Sequence, residues 1–296
     1  MFKQLGLIGC GLMGGSFALA LRRAGLVQHI VGYSKSPATL KRARELGVID
    51  TEAPSTLQAV SGSDIVLLAV PVAATESTLK SIRHLITREM LVMDVGSTKQ
   101  DVVQAARRVL KDELGSFVPC HPIAGKEQAG VDHADADLYR DRTVILTPIE
   151  RTLVAQLERA QQVWQAVGAR LHTMSPQAHD QALASVSHLP HLLAFAFIHG
   201  LLGQAHGQEF MALGGPGFRD FSRIAAGEPQ IWRDILLANR QEVLAQSRLF
   251  RESLTQLERA VEAGDAATLE SLLRQASAAR AAWSPAAPDT PPHVRD

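Results

Sequence analysis

Three stretches of the chain concentrate side chains able to do chemistry. In FVPCHPIAGKEQAG, residues 117 to 130, an apolar run ends at His121 and Pro122 fixes the chain just after it. In QAHDQALASVSHLPHLL, residues 177 to 193, His188 and His191 stand three apart, with His179 and Asp180 upstream. In GGPGFRDFSRIAAGEPQIWRDILLANR, residues 214 to 240, Arg219, Arg223, Arg233 and Arg240 surround Trp232, with Asp220 and Asp234 interleaved. An imidazole titrates near neutrality and can take a proton from an alcohol as it becomes a carbonyl, so His121 is a candidate general base. On position alone it could equally be a hydrogen-bonded core histidine or a metal ligand. Guanidinium forks match carboxylates, so the arginine-rich stretch suits an acidic ligand. Some of these arginines are expected to pair with Asp220, Asp234 or Glu228, and Arg223 is the preferred ligand.

A metal would need a more regular donor set. His188 and His191 with His121 or His179 make three nitrogens, but Pro190 distorts the spacing and there is no HExxH or cysteine pair. No metal is expected.

Something must position these groups, and the first half of the chain supplies it. Short β-rich runs (Leu5–Ile8, Ile30–Tyr33, Ile65–Val70, Leu91–Val95, Phe117–Pro119, Val144–Leu146, Leu171–Met174) alternate with segments of helical spacing such as KQDVVQAARRVLKDEL. Continuous Val/Ile/Leu strands separated by helices predict a parallel sheet covered on both faces, and His121 is expected to close a later strand of that same sheet. The first run opens into GCGLMGGS. Gly9, Gly11 and Gly14 form GxGxxG between a strand and a helix, with Leu12 and Met13 inside the turn. That context suits a dinucleotide: the pyrophosphate approaches the glycine backbone and meets the helix N-terminus. An NAD-preferring site carries an acidic residue at the end of the second strand; here Ser34 stands there, followed by Lys35, Ser36, Lys41 and Arg42. NADP is therefore favoured over NAD. Val70 and Pro71, ending the IVLLAV run, lie at the same sheet edge and are further candidate cofactor contacts.

Bulk composition agrees. Thirty basic residues balance thirty acidic ones among 296, which argues against a nucleic-acid or membrane-surface partner and for a small molecule. Two cysteines, Cys10 and Cys120, make no disulfide framework, so a reduced, cytoplasmic protein is expected. The glycine-spaced N-terminus does not read as a signal sequence. After about Ser175 the strand signal ends. The segment through Ala205 is apolar nearly all round, as in a helix buried on every side and kinked at Pro190. A second long helix is expected from Pro229 to Glu262, more than one small domain needs, so part of its face and part of the preceding apolar helix are assigned to a homodimer interface. Asp265 is expected to cap a last helix. The organisation is residues 1–174, a dinucleotide-binding domain; 175–284, a helical substrate and dimerisation domain; and 285–296, a proline-rich disordered tail.

Taken in order, GLIGCGLMGGS, DVGSTK, HPIAGKE, SHLPH, GGPGFRDFSR and IWRDIL resemble the prephenate/arogenate (cyclohexadienyl) dehydrogenase family of tyrosine biosynthesis. The resemblance implies an α/β Rossmann-type dinucleotide-binding domain followed by an all-α helical dimerisation domain. It also implies oxidation of a ring C4 hydroxyl, hydride transfer to NAD or NADP, and loss of the ring carboxylate as carbon dioxide. Carried over by motif, His121 engages the C4 hydroxyl and Ser97 sits between that hydroxyl and the nicotinamide. His191 and Arg223 hold substrate carboxylates, with His188, Trp232 and Arg219 as further substrate contacts. Pro216 interrupts the glycine run, and Ser222 stands where a threonine is frequent. Glu127 is the candidate for substrate choice, since a carboxylate there could pair with the ammonium of arogenate. Two other readings compete: a β-hydroxyacid dehydrogenase, which uses a helical lysine that residues 175–283 lack, and a non-catalytic NADP-binding redox sensor, which needs neither His121 nor the arginines.

Overall fold

The structure is a computed structural model that describes residues 1–126 and 128–283. Glu127 and the tail from 284 therefore lie outside the described residues. The first half alternates β1 (Phe2–Ile8), α1 (Leu12–Arg23), β2 (Val27–Tyr33), α2 (Pro37–Glu45), β3 (Thr51–Glu52), α3 (Thr56–Val60), β4 (Ile65–Leu68), α4 (Thr75–Ile82), β5 (Leu91–Asp94), α5 (Gln100–Leu110) and β6 (Phe117–Val118). The six strands are all parallel, in the order β3-β2-β1-β4-β5-β6. That is the doubly wound arrangement whose ligands bind at the strand C-termini, where the order reverses between β1 and β4. Leu5, Ile30, Ile65 and Leu91 are completely buried in its centre, the consequence of helices on both faces.

The chain leaves this sheet after Val118, three residues before His121. β7 (Cys120–Pro122) pairs antiparallel with β8 (Thr143–Leu146), which after α6 (Val154–Ala166) pairs parallel with β9 (Arg170–Thr173). His121 therefore belongs to a second, three-stranded sheet rather than to the main one expected to carry it. Pro119 is the reason. It has no N–H for the first ladder, and its carbonyl accepts instead from Thr147 N at 2.9 Å.

The helical half begins at α7 (Pro176–Leu183), where Ser175 Oγ accepts from Ala178 N at 3.1 Å. A π-helical turn, Ala184–His188, leads into α8 (Leu189–Leu202). Pro190 cannot donate in this run, and the widened turn before it absorbs the mismatch. The expectation of a helix buried on every side fails within the single chain: Phe197 is 44% and Leu202 52% exposed. By length and composition the run Pro176–Leu202 could cross a membrane. It nonetheless carries the buried polar side chains His179, Asp180 and His188, as a core helix beside a polar site does. Then follow α9 (Gly207–Ala212), α10 (Pro216–Ser222), α11 (Pro229–Ala238), α12 (Arg240–Glu262) and α13 (Ala266–Ala282). The single long helix expected from 229 to 262 is two, broken at Asn239, whose buried side chain turns inward. Asp265 caps α13 as expected, its carboxylate accepting from Thr268 N at 3.0 Å. The chain forms two compact units that divide after Asn239.

Candidate active site

The glycine turn shows why each glycine is there. Gly9 has φ +101°, and a Cβ on it would meet the Ala69 carbonyl oxygen at 2.1 Å. A Cβ on Gly14 would meet Gly9 O at 2.1 Å, so helix and strand pack closely because position 14 has no side chain. Gly11, the N-cap of α1, faces open space and has no side-chain cap. The first turn of α1, begun by Leu12 and Met13, contains no acidic residue. Free backbone N–H groups and a dipole's positive end facing open space suit a pyrophosphate. Gly9 N donates to Tyr33 O at 2.8 Å, which brings the end of β2, with Ser34 and Lys35, to the same edge. Val70 and Pro71 follow Ala69, the residue that abuts Gly9. Ser34 Oγ accepts from Ser36 N at 3.3 Å. Arg42 is bonded to Asp132 at 2.6 Å and to Glu45 at 3.3 Å, and Lys41 lies 4.0 Å from Glu45. Lys35 is exposed, with no ion pair among the described residues.

At the end of β5 a buried bracket holds the turn that contains Ser97. Lys99 Nζ donates to Asp94 Oδ2, in a buried ion pair, and to the Cys120 carbonyl at 2.8 Å. Asp94 Oδ2 accepts from Gly96 N at 2.8 Å, and its Oδ1 from Cys120 N at 3.1 Å. Residues 94 to 99 are thereby tied to the backbone next to His121, and Ser97 is half-buried between them.

From His121 a chain of hydrogen bonds runs into α7. His121 Nδ1 lies 2.8 Å from His179 Nε2, and His179 Nδ1 lies 2.8 Å from Asp180 Oδ1. Asp180 also accepts from the backbone of α5's first turn, Lys99 N at 2.8 Å and Gln100 N at 2.9 Å. Burial pushes its carboxyl up, but the bonds from His179, Gln100 and Lys99 outweigh that and hold it below the usual range. An ionised carboxylate only accepts. His179 therefore donates from Nδ1 and offers a lone pair at Nε2; His121 donates from Nδ1 into that lone pair. What remains on His121 is an unprotonated Nε2. Burial, then the neighbouring His179, Lys99 and His188, hold His121 well below the ordinary histidine pKa, so the ring is neutral at physiological pH. These bonds engage both ring nitrogens of His179 and Nδ1 of His121, and among the described residues no three His, Cys, Asp or Glu side chains converge as metal ligands do.

His188 and His191 lie beyond this chain. His191 stacks on Trp232, ring centroids 3.5 Å apart and planes 20° from parallel, and donates from Nδ1 to Ser187 O at 2.8 Å. Arg223 lies close enough to depress the His191 pKa, which burial already lowers. Trp232 closes the group from the other side: it meets His188 edge-on at 6.5 Å, and a Cβ on Gly227 would reach its Nε1 at 2.5 Å, so the indole fits there because residue 227 is glycine. His121, His179, His188, His191, Trp232 and Arg223 are thus brought together. Arg219 is engaged elsewhere, its exposed guanidinium 3.3 Å from Asp220. Lys126, next to Glu127, donates to Asp135 at 2.9 Å and to the His133 carbonyl at 3.1 Å.

The residues that sequence reasoning left without a role are Asp94, Lys99, His179, Asp180 and Asn239. The adjacent His-Asp pair was the available signal. Its weight shows only when the fold sets His179 against His121, 58 residues away.

Two family models match the chain: "Prephenate dehydrogenase, nucleotide-binding domain" over residues 17–173 and "Prephenate dehydrogenase, dimerization domain" over residues 175–275. The cyclohexadienyl dehydrogenase of Zymomonas mobilis is 33% identical over 288 residues, covering 95% of this chain and 96% of that one. The crystal structure of prephenate dehydrogenase from Aquifex aeolicus in complex with hydroxyphenyl propionate and NAD+ superposes with a TM-score of 0.89 at 35% identity, covering 95% and 98% of the two chains. Synechocystis arogenate dehydrogenase superposes with a TM-score of 0.80 at 29% identity, covering 94% and 99%. The doubly wound sheet, the helices that follow it and the matched length of both domains all agree: the chain belongs to the prephenate dehydrogenase family.

Proposed function

We propose that this enzyme oxidises and decarboxylates arogenate, prephenate or both, with His121 as the general base. The observation that carries the reading is the Asp180–His179–His121 chain, which leaves the His121 Nε2 lone pair as the proton acceptor. With its pyrophosphate held at the glycine turn, the dinucleotide would supply the nicotinamide ring that accepts the hydride. His121 takes the C4 hydroxyl proton, Ser97 lies between that hydroxyl and the cofactor, and the ring carboxylate leaves as carbon dioxide as the ring becomes aromatic. Arg223 and His191 hold the substrate carboxylates, against the wall made by Trp232, while the buried His188 stands behind them without touching substrate. Gly9, Gly11, Leu12, Met13, Gly14, Val70 and Pro71 hold the dinucleotide. We place the functional division at 174/175, with substrate and dimer contacts in 175–284, in a cytoplasmic enzyme whose buried thiols Cys10 and Cys120 suit a reducing setting.

Two finer assignments belong to the same proposal. The cofactor is NADP in preference to NAD, supported by Ser34 in place of an acidic residue and by the exposed Lys35, which makes no ion pair among the described residues. Arogenate is accepted at least as well as prephenate, through Glu127. Initial rates for each substrate with each cofactor test both: the lowest KM is expected with NADP, and turnover of arogenate at least equal to prephenate. A clear NAD preference removes the first assignment; turnover confined to prephenate, in wild type and in Glu127→Gln, removes the second.

The protein is a homodimer through its helices. Phe197, Leu202, Phe210 and Phe221 are 44 to 52% exposed and Leu213 84%, large apolar side chains left open to solvent on successive helices, which a partner subunit would cover. Light scattering should return twice the chain mass at micromolar concentration, and a monomer there would refute the assignment.

A further inference from the structure

Asn239, where the 229–262 helix breaks, is 3% exposed. Its Nδ2 donates to the Asp180 carbonyl at 2.7 Å and lies 3.1 Å from His188 Nδ1. An amide nitrogen has two hydrogens and no lone pair to accept with. The backbone fixes which way the amide faces, because turning it over would set Oδ1 against the Asp180 carbonyl oxygen, acceptor against acceptor. His188 Nδ1 is therefore the lone pair, and the ring proton sits on Nε2.

His188 is 1% exposed, and its Nε2 is closed off from solvent with no bond of good geometry. The acceptor beside it is the backbone of Ser97, near enough to favour a proton on the ring. Burial nevertheless pulls the ring down to a pKa of about 4, so it is neutral under working conditions. A neutral donor, fixed in tautomer and shut away from water, faces the turn that carries Ser97. The carbonyl that fixes it belongs to Asp180, whose carboxylate fixes His179 and His121. One residue thus organises two arms, one ending at His121 Nε2 and the other at the Ser97 turn.

We propose that Asn239 is a positioning residue: by bonding His188 Nδ1 it holds His188 as an Nε2–H donor to the Ser97 carbonyl, and so fixes the turn that presents Ser97 to the reacting hydroxyl. In this account His188 acts through Ser97 rather than by touching substrate. The inference rests on the reading of Ser97 and His121 as the groups at that hydroxyl.

Nitrogen NMR of histidine-labelled wild-type protein reads the tautomer directly. A pyridine-like Nδ1 and a protonated Nε2 are expected for His188, and an Nδ1–H tautomer would overturn the proposal. Side-chain exchange reads the function. In His188→Gln the amide nitrogen reaches the place of Nε2 and stays neutral, so kcat should remain within about threefold of wild type. In His188→Asn the amide reaches only the place of Nδ1, and in Asn239→Leu the ring loses its anchor. Both should lower kcat about tenfold or more, the scale of one hydrogen bond lost at a buried group, with cofactor Kd unchanged. Equal kcat for the Gln and Asn variants of His188 would overturn the proposal. The NMR arm uses wild-type protein, so a variant that fails to fold leaves the test intact. Failure of the dehydrogenase reading would appear separately, as no reduced cofactor formed from either substrate.

Discussion

His121→Asn is expected to lower kcat by about a hundredfold or more, the usual scale for a lost general base, while the Kd for the cofactor stays near wild type. The split follows from the geometry. The glycine turn that holds the dinucleotide is built by β1, α1 and the ends of β2 and β4, whereas His121 is carried by β7 in the second sheet. Asparagine can keep a donor at the place of Nδ1, toward His179, but places no lone pair where Nε2 stood. The pH profile adds a second signature. The working form of His121 is the neutral one, and burial with neighbouring positive charge depresses its proton affinity. Lowering the pH should therefore leave wild-type kcat flat through the ordinary histidine range near 6.5 and reduce it only below that. In the asparagine variant the residual rate should lose this acid limb. Full activity in His121→Asn would make the residue structural.

Much of this site was legible in the sequence, and what was not has identifiable causes. GxGxxG after an apolar run could be read because each glycine answers a local demand: a positive φ at Gly9, a close helix contact at Gly14, open backbone at Gly11. HPIAG marked a bend and a titratable group together. The sheet that bend belongs to was misread, because three residues of strand carry no periodicity and a proline between two short strands looks the same whether the chain continues one sheet or changes to another. The break at Asn239 was hidden for a related reason: ILLANRQEVL has unbroken helical spacing, and what ends the helix is a partner on a distant segment, the Asp180 carbonyl. Buried polar pairs such as Asp94–Lys99 are equally silent, since a lysine at the start of an amphipathic helix normally faces water. Local chemistry could be read from the sequence; the contacts that satisfy buried polar atoms could not, whether five residues apart, as in Asp94–Lys99, or 58, as in His121–His179.

The most consequential of those contacts is Asp180. Asp180→Ala is expected to destabilise the fold by about 3 kcal/mol or more and to lower kcat as well. The carboxylate is 1% exposed and accepts three hydrogen bonds, from His179 Nδ1, Lys99 N and Gln100 N. Alanine leaves two backbone N–H groups at the start of α5 without acceptors and frees His179 to turn or exchange tautomer. The His121 proton can then move to Nε2, the position that must accept. Asp180→Asn separates the two effects. The amide has one acceptor oxygen, which retains more bonds at the place of Oδ1, where it still receives Lys99 N and His179 Nδ1; the NH2 group then faces Gln100 N–H, donor against donor. Asparagine should therefore lose about 1 to 3 kcal/mol of stability while keeping the tautomer chain, and its kcat should stay well above that of the alanine variant. Denaturant melts and kcat at one pH measure both quantities. If the asparagine and alanine variants lose kcat equally while differing in stability, the order of protons from Asp180 through His179 to His121 does not govern the base, and the carboxylate's negative charge near His121 is what catalysis needs.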